Sequence, residues 1–419
     1  MPSASPRPAS PGGGGAGGRA PFLDVARGLA ILLVVLHHSV IFVDAAHLLP
    51  PAWRVVNDEL VVLRMPLFFA VSGVLAASAA RRPWREVLRH RLALLGWLFL
   101  VWSLLRFVWF SLVPQTLNPA ETATLAPLVW TPLLPVTGLW YLYAIGLFTV
   151  LARLPGRRAP WLLAPAALLS LAENLGLLAL LPNYAWHQMA RCFVFFLLGW
   201  CLKRTVLAAF SRAPGELLAL VVVVAGVVLV QDARGTFAHP ALQLPISVLA
   251  IAGGLALAAL LVAVPTTARL AAGSGWLGRR TLPVYLTHEW VVGGLTAVAA
   301  VALSTPSAWL PLLWVPPAVV LPLLLHTAVR RAGVGGLYNL PARRPGRRRA
   351  LGFPDAPGPR DDHRSRRAVA LGGRDGGPGR LAGGGRVLGP AGRRCPACGT
   401  GHDGPGAGLP RPRGATCPR

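Results

Sequence analysis

Ten long apolar segments constrain this chain more than any other feature. They run at roughly 22–43, 60–80, 93–113, 133–152, 160–181, 187–202, 214–231, 242–264, 281–303 and 309–329. Each approaches or exceeds the roughly 20 residues that a helix needs to cross hydrocarbon. The sixth is the shortest. The tenth carries Pro311, Pro316, Pro317 and Pro322, which predict a kink or break. Hydrocarbon offers no hydrogen bonds to an exposed backbone, so such spans must be helical. The predicted fold class is therefore all-α: a polytopic transmembrane helical bundle of about ten spans with disordered termini. Only 13% of the residues are charged and 54% are hydrophobic. Soluble domains carry roughly 25% charge, so a cytosolic globule is excluded. The same apolar runs exclude a chain disordered throughout.

The net charge of +26 resembles that of a nucleic-acid binder. Its distribution argues against nucleic acid and for a membrane. Residues 341–419 contribute 17 Arg against 5 Asp. Elsewhere the basic residues concentrate in alternate loops between apolar runs. Loop 81–92 holds Arg81, Arg82, Arg85, Arg89 and Arg91. Loops 153–159, 203–213 and 265–280 hold three basic residues each. The intervening loops hold only Arg54 and Arg234. Positive loops stay on the cytoplasmic side, so the pattern predicts a multi-pass protein of the cell membrane with both termini cytoplasmic.

Residues 1–21, rich in Pro, Gly, Ala and Ser, read as a flexible cytosolic lead-in. The apolar run after them carries charges and lacks a small-residue cleavage site, as in a retained first span. The membrane domain is expected over 22–332. The tail over 341–419 is Arg, Gly and Pro with few aromatic or β-branched residues, a disordered composition. It reads either as a basic segment lying on anionic lipid or as a reading-frame extension without a role. Cys395, Cys398, His402 and Cys417 have knuckle-like spacing, but no apolar periodicity surrounds them to build a metal module.

Ionisable residues inside spans are costly and point to function. The first span is the richest in them. Arg27 and His38 are eleven residues apart, about 1100° of helix, so they share a face about 16 Å apart along the axis. Asp24 lies three residues before Arg27, where the two can pair. His37 points about 80° away from Arg27. An imidazole deep in the membrane is a candidate general base at neutral pH. The second span carries Arg64 at its outer end, Pro66 in its first turn, and the small pair Ser72 and Gly73, which permits close helix approach.

Together these segments resemble the acyltransferase family 3, integral membrane O-acyltransferases. The Arg27-x10-His38 spacing in Phe22–His38 is similar to that family's first span. Arg64-Met65-Pro66-Leu67-Phe68-Phe69 through Ser72-Gly73 is similar to its second. Leu139-Trp140-Tyr141-Leu142 and Tyr285-Leu286-Thr287-His288 resemble pieces of a fourth and a late span, and Phe195-Phe196-Leu197-Leu198-Gly199 a mid-chain pattern. The resemblance covers about 20–330.

It implies transfer of an acyl group, commonly acetyl from a cytosolic acyl-CoA, to a hydroxyl of a saccharide or other acceptor. It also implies that His38 and Arg27 are the catalytic pair, His38 as base or transient acyl carrier and Arg27 as a donor-binding or electrostatic group. His38 is chosen over His37 by spacing alone. Further candidates for substrate or donor contact are Asp24, Arg64, Ser72, His288, and Arg89 and Arg91 facing the CoA phosphates. Trp140 and Arg191 are candidates for contact with a sugar, or for an interfacial belt. Glu289 has no assigned role, Glu173 and Asn174 interrupt a span, and Arg106 is a candidate carboxylate partner. No repeated ligand spacing among the intramembrane histidines calls for a metal. A transporter or flippase is the rival reading. It shares the spans and buried charges, but no internal repeat is evident.

Overall fold

The computed structural model describes residues 20–341, apart from 114–116, 118–120, 136 and 234–238 and the side chains of 231–233. Among the described residues there is no strand. Fifteen α-helices follow in order: α1 (Pro21–Ala45), α2 (Ala52–Glu59), α3 (Val61–Ala76), α4 (Trp84–Glu86), α5 (Ala93–Leu112), α6 (Ala126–Trp130), α7 (Trp140–Arg153), α8 (Leu163–Asn174), α9 (Tyr184–Cys201), α10 (Lys203–Ala209), α11 (Pro214–Ala233), α12 (Gln243–Ala263), α13 (Ala268–Gly278), α14 (Thr281–Ala302) and α15 (Leu310–Arg331). The expected lead-in and tail lie almost wholly outside the described residues. So do Arg234 and the Cys395, Cys398, His402 and Cys417 set.

Every expected apolar run contains a helix, but the ten are not equally long. Six helical stretches are long and apolar enough to cross a membrane by themselves: Pro21–Ala45, Ala52–Arg81, Trp84–Leu112, Pro240–Ala263, Thr281–Ala302 and Leu310–Arg331. A seventh arises only if α9 and α10 are taken as one span despite a bend of 74° between them. The apolar helices Trp140–Arg153 and Pro214–Val230 are shorter, and α8 has 12 residues. A hydropathy reading counts apolar length, and turns and 3-10 segments consume part of it, as Gly156–Leu162 does before α8. The prolines inside α15 leave it a single helix of 22 residues.

Small residues set the tightest helix contacts. Gly28 of α1 lies against the Ser274 carbonyl of α13, and a Cβ on Gly278 would fall 1.7 Å from the Asp24 carbonyl oxygen. Gly73 of α3 and Gly199 of α9 interlock likewise, each meeting the other helix's backbone at about 2 Å from where its Cβ would stand. In lipid, where apolar side chains gain little by leaving the solvent, such backbone approach is a principal source of helix association. Gly73 thus does the packing work expected of it, and the mid-chain Gly199 is its partner.

Beyond α15 the chain folds back. Trp97 and Trp102 of α5 donate their indole N–H groups to the carbonyls of Gly336 and Leu337, both at 2.7 Å. Tyr338 packs between the Trp102 and His326 rings.

Candidate active site

The site is built where α1, α5 and α14 meet. His38 and His288 are 250 residues apart in sequence, yet His38 Nδ1 lies 3.2 Å from His288 Nε2. The rings meet edge to face, with centroids 4.8 Å apart. His288 Nδ1 faces the carbonyls of Val284 and Tyr285 at 2.9 and 3.0 Å. Carbonyls only accept, so this nitrogen carries the proton, and Nε2 of the neutral ring is a lone pair. His38 Nδ1 faces that lone pair and the Val34 carbonyl at 2.9 Å. It too must donate. The basic nitrogen of a neutral His38 is therefore Nε2, which lies 3.3 Å from Glu289 Oε1.

Glu289 is fixed from behind. Arg106 of α5 approaches its Oε2 at 2.6 Å and also grips Glu121 at 2.6 and 3.1 Å. All three side chains are at most 5% exposed. The guanidinium lies over the Phe110 ring at 4.6 Å. Buried ions require mutual pairing, and here one cation serves two carboxylates. Arg106 is thus the carboxylate partner that its position suggested.

Gly138, just before α7, closes the fourth side. A Cβ there would fall 2.2 Å from Glu289 Oε1 and 2.7 Å from Oε2. The Gly138 carbonyl also accepts the Tyr285 hydroxyl at 2.9 Å. Gly138→Ala is expected to push the carboxylate off His38. Displacements of about 1 Å in a catalytic array can cost up to about a hundredfold, so a kcat loss of about tenfold or more with little change in KM is expected. Steady-state kinetics of the folded variant measure it; an unchanged kcat would show that the Glu289 position is unimportant.

A cavity of about 470 Å³ adjoins this cluster. Arg27, Ser72, Tyr141 and Tyr285 line it, together with Arg82, His90 and Arg91. Arg27 donates to the Thr281 hydroxyl at 2.7 Å, and Ser72 and Tyr141 share a hydrogen bond of 2.5 Å. Tyr285 belongs to both regions: it lines the cavity, and its ring centroid is 6.2 Å from that of His288. The basic loop reaches the cavity through a π-helical turn, Val87–Leu92. π turns recur at functional positions. This one turns Arg91 inward and leaves Arg89 exposed, off the cavity wall.

Other expected residues fall elsewhere. Asp24 is paired with Arg279 of α13 at 3.5 Å. Arg64 donates to the Asn57 side-chain oxygen at 3.1 Å, and His37 Nδ1 lies 2.7 Å from the same atom. The doubled histidines thus part, with His38 in the cluster and His37 against α2. Trp140 is buried against Phe69, ring centroids 5.7 Å apart, and does not line the cavity; its neighbour Tyr141 does. Arg191 lies 3.6 Å from Glu173, which also binds His187 at 2.9 Å. That explains the acid interrupting the fifth apolar run.

Sequence reasoning missed Glu121, Gly138, Tyr141, Thr281 and Asn57. Glu121 and Asn57 are polar residues beside apolar runs, the one available signal for them. Ligand atoms of His38, His288 and Glu289 all lie within 4.8 Å of one another, a grouping with the dimensions of a metal site. Linear spacing could not reveal it, because the residues come from two helices. The Arg106 guanidinium already places a cation on this carboxylate.

An acyltransferase domain profile, that of acyltransferase family 3, matches residues 21–331. The chain belongs to this family and is a multi-pass membrane protein. Among known proteins, it is similar to the inner membrane protein YcfT of Escherichia coli (strain K12), at 26% identity over 213 residues. That alignment spans 46% of this chain and 59% of the relative. No solved structure matches the chain.

Proposed function

We propose that the protein is an O-acyltransferase of the cell membrane. It moves an acyl group, acetyl in the simplest case, from acyl-CoA to a hydroxyl of a cell-envelope glycan or related saccharide acceptor. The observation that carries the reading is the basic Nε2 of His38 beside the fixed carboxylate of Glu289, next to an arginine-bearing cavity.

The acceptor hydroxyl gives its proton to His38 Nε2 as its oxygen attacks the thioester carbonyl. The carbonyl re-forms as the C–S bond breaks, and the departing thiolate takes up the proton, leaving ester and free CoA. Glu289 stabilises the transient imidazolium, and positioned acid–base groups of this kind contribute about 10²–10⁴-fold. Arg27 and Arg91 hold the phosphates of the donor, because guanidinium pairs with phosphate bidentately. Arg27 and His38 stand about 16 Å apart along α1. An extended pantetheine arm suits that span, with Ser72, Tyr141 and Tyr285 along its path. The positive-inside bias of the basic loops supports a cytosolic cavity mouth and cytosolic termini.

Purified protein in lipid, given acetyl-CoA and an envelope-glycan extract, is expected to release CoA only when acceptor is present. Arg91→Ala is expected to raise the KM for the donor about tenfold or more, as loss of a charge-assisted contact worth about 1.5–3 kcal/mol implies. Absence of both turnover and binding with every acyl-CoA tried, in the folded protein, would overturn the proposal and favour a transporter, which has no need of that ligand.

A further inference from the structure

The two histidines and the carboxylate of the cluster are oriented alike, by groups behind them. His288 Nδ1 is held by the Val284 carbonyl at 2.9 Å, and His38 Nδ1 by the Val34 carbonyl at 2.9 Å. Each carbonyl belongs to the residue four earlier, so the helix that carries the ring also presets its tautomer. In both neutral rings the lone pair is left on Nε2. A carbonyl on the opposite N–H is the usual orienting contact of a metal-ligating histidine. Glu289 offers Oε1, 3.3 Å from His38 Nε2, while Arg106 holds Oε2 at 2.6 Å. A tetrahedral ion with ligand distances of about 2.0–2.2 Å holds its ligand atoms about 3.3 Å apart. The His38 and Glu289 atoms already have that separation. Ligand atoms of all three residues lie within 4.8 Å of one another, so His288 has only to draw in. The His38 side chain is 18% exposed, against 5% for Glu289, and His288 is fully buried. The cluster therefore opens on the His38 side.

We infer that His38, His288 and Glu289 form a binding site for a divalent transition-metal ion of the Zn²⁺ class. His38 Nε2, His288 Nε2 and Glu289 Oε1 are the ligands, and water fills the fourth position. Two imidazoles and one carboxylate around an open position suit Zn²⁺ and its first-row neighbours. Mg²⁺ and Ca²⁺ prefer shells of oxygen. Arg106 does not occupy the ion's place, because it takes the other carboxylate oxygen and also pairs with Glu121. The ion uses the same lone pair that takes the acceptor's proton, so Zn²⁺ silences the base. That consequence rests on the acyl-transfer reading; the binding does not.

The test is a titration of the chelator-treated full chain in detergent with Co²⁺, followed by visible absorption and then by displacement with Zn²⁺. Wild type is expected to show one saturable set of ligand-field bands, erased by Zn²⁺. Any ion held by Cys395, Cys398 and Cys417 adds thiolate charge-transfer bands in the ultraviolet, which mark it as separate. Loss of an outer-shell partner alone costs about 10–100-fold in affinity, so His288→Gln is expected to cost at least about 100-fold. His38→Gln is the second test of the same set. His37→Gln should bind as wild type does, because its ring is held by Asn57. Circular dichroism and elution volume check that each variant is folded. No such bands in wild type, or unchanged affinity in a folded His288→Gln or His38→Gln variant, would overturn the site. Saturating Zn²⁺ is expected to lower turnover about 10²-fold or more, the share of a general base, and chelator to restore it. Full turnover by the zinc-saturated protein would overturn the silencing and leave acyl transfer standing. The Co²⁺ measurement needs no turnover, so it decides the site even if the chain transfers no acyl group.

Discussion

His38→Gln is expected to lower the turnover number by about 10²–10⁴-fold, with the protein still inserted and folded. Glutamine keeps the bulk and a donor toward Val34 but cannot take a proton. The loss should fall on kcat rather than on the donor KM, because His38 does not line the cavity that holds the arginines. His37→Gln should be mild, within a few-fold, since its ring is turned to Asn57. Steady-state acyl transfer by the two variants, side by side in the same lipid, makes the comparison. Comparable loss in both, with intact folding, would refute the assignment of the base to His38. An acyl-carrier role for His38 would be shown instead by a covalent acyl adduct trapped on the wild-type chain when acceptor is withheld.

The second large effect is expected on stability. Arg106 is buried with two carboxylates in contact. Arg106→Met removes the cation that both carboxylates contact, and breaking a buried ion pair from one side typically costs about 3–5 kcal/mol. The thermal unfolding midpoint in detergent should fall sharply and activity should vanish. The triple variant Arg106→Met/Glu121→Gln/Glu289→Gln removes the whole charged set. It should recover much of the lost stability, since replacing a buried ionic set by neutral groups is often near neutral. It should not recover activity, because no carboxylate then faces His38 Nε2. If the triple variant melts as low as Arg106→Met, the instability comes from lost packing against Phe110 and not from stranded charge.

The difference between these two effects follows from what each residue contacts. His38 contacts Val34, His288 and Glu289 through single hydrogen-bond-length approaches, so its loss removes chemistry and little packing. Arg106 joins α5, α14 and the segment carrying Glu121, so its loss unties three parts of the fold. Glu289 stands between them. Its carboxylate meets His38 with one oxygen and Arg106 with the other. A stability readout and an activity readout on the same variants therefore separate the two duties.

Hydropathy placed every apolar run that became a helix, because the burial of a 20-residue stretch is a local property of the chain. It did not fix which runs are long enough to cross on their own, because turns such as 156–162 take residues from the apolar length. The Arg27 and His38 stripe was legible for a related reason: helical periodicity alone sets which residues share a face of α1. Gly73 was legible as a close-approach site, but its partner Gly199 was identified only by the contact between α3 and α9.

Partner choice belonged to the tertiary structure throughout. Nothing in the chain's linear order brings His288 to His38, Glu121 to Arg106, or the backbone of Gly138 against Glu289. Each of those pairings joins segments 15 to 250 residues apart. They form because buried charges and polar atoms in a bundle must find one another or remain unpaired at high cost. The sequence by itself determined a helical membrane protein with an imidazole and a guanidinium on one face of its first span. Packing alone decided which carboxylate that imidazole would face, and which arginine would hold the carboxylate in place.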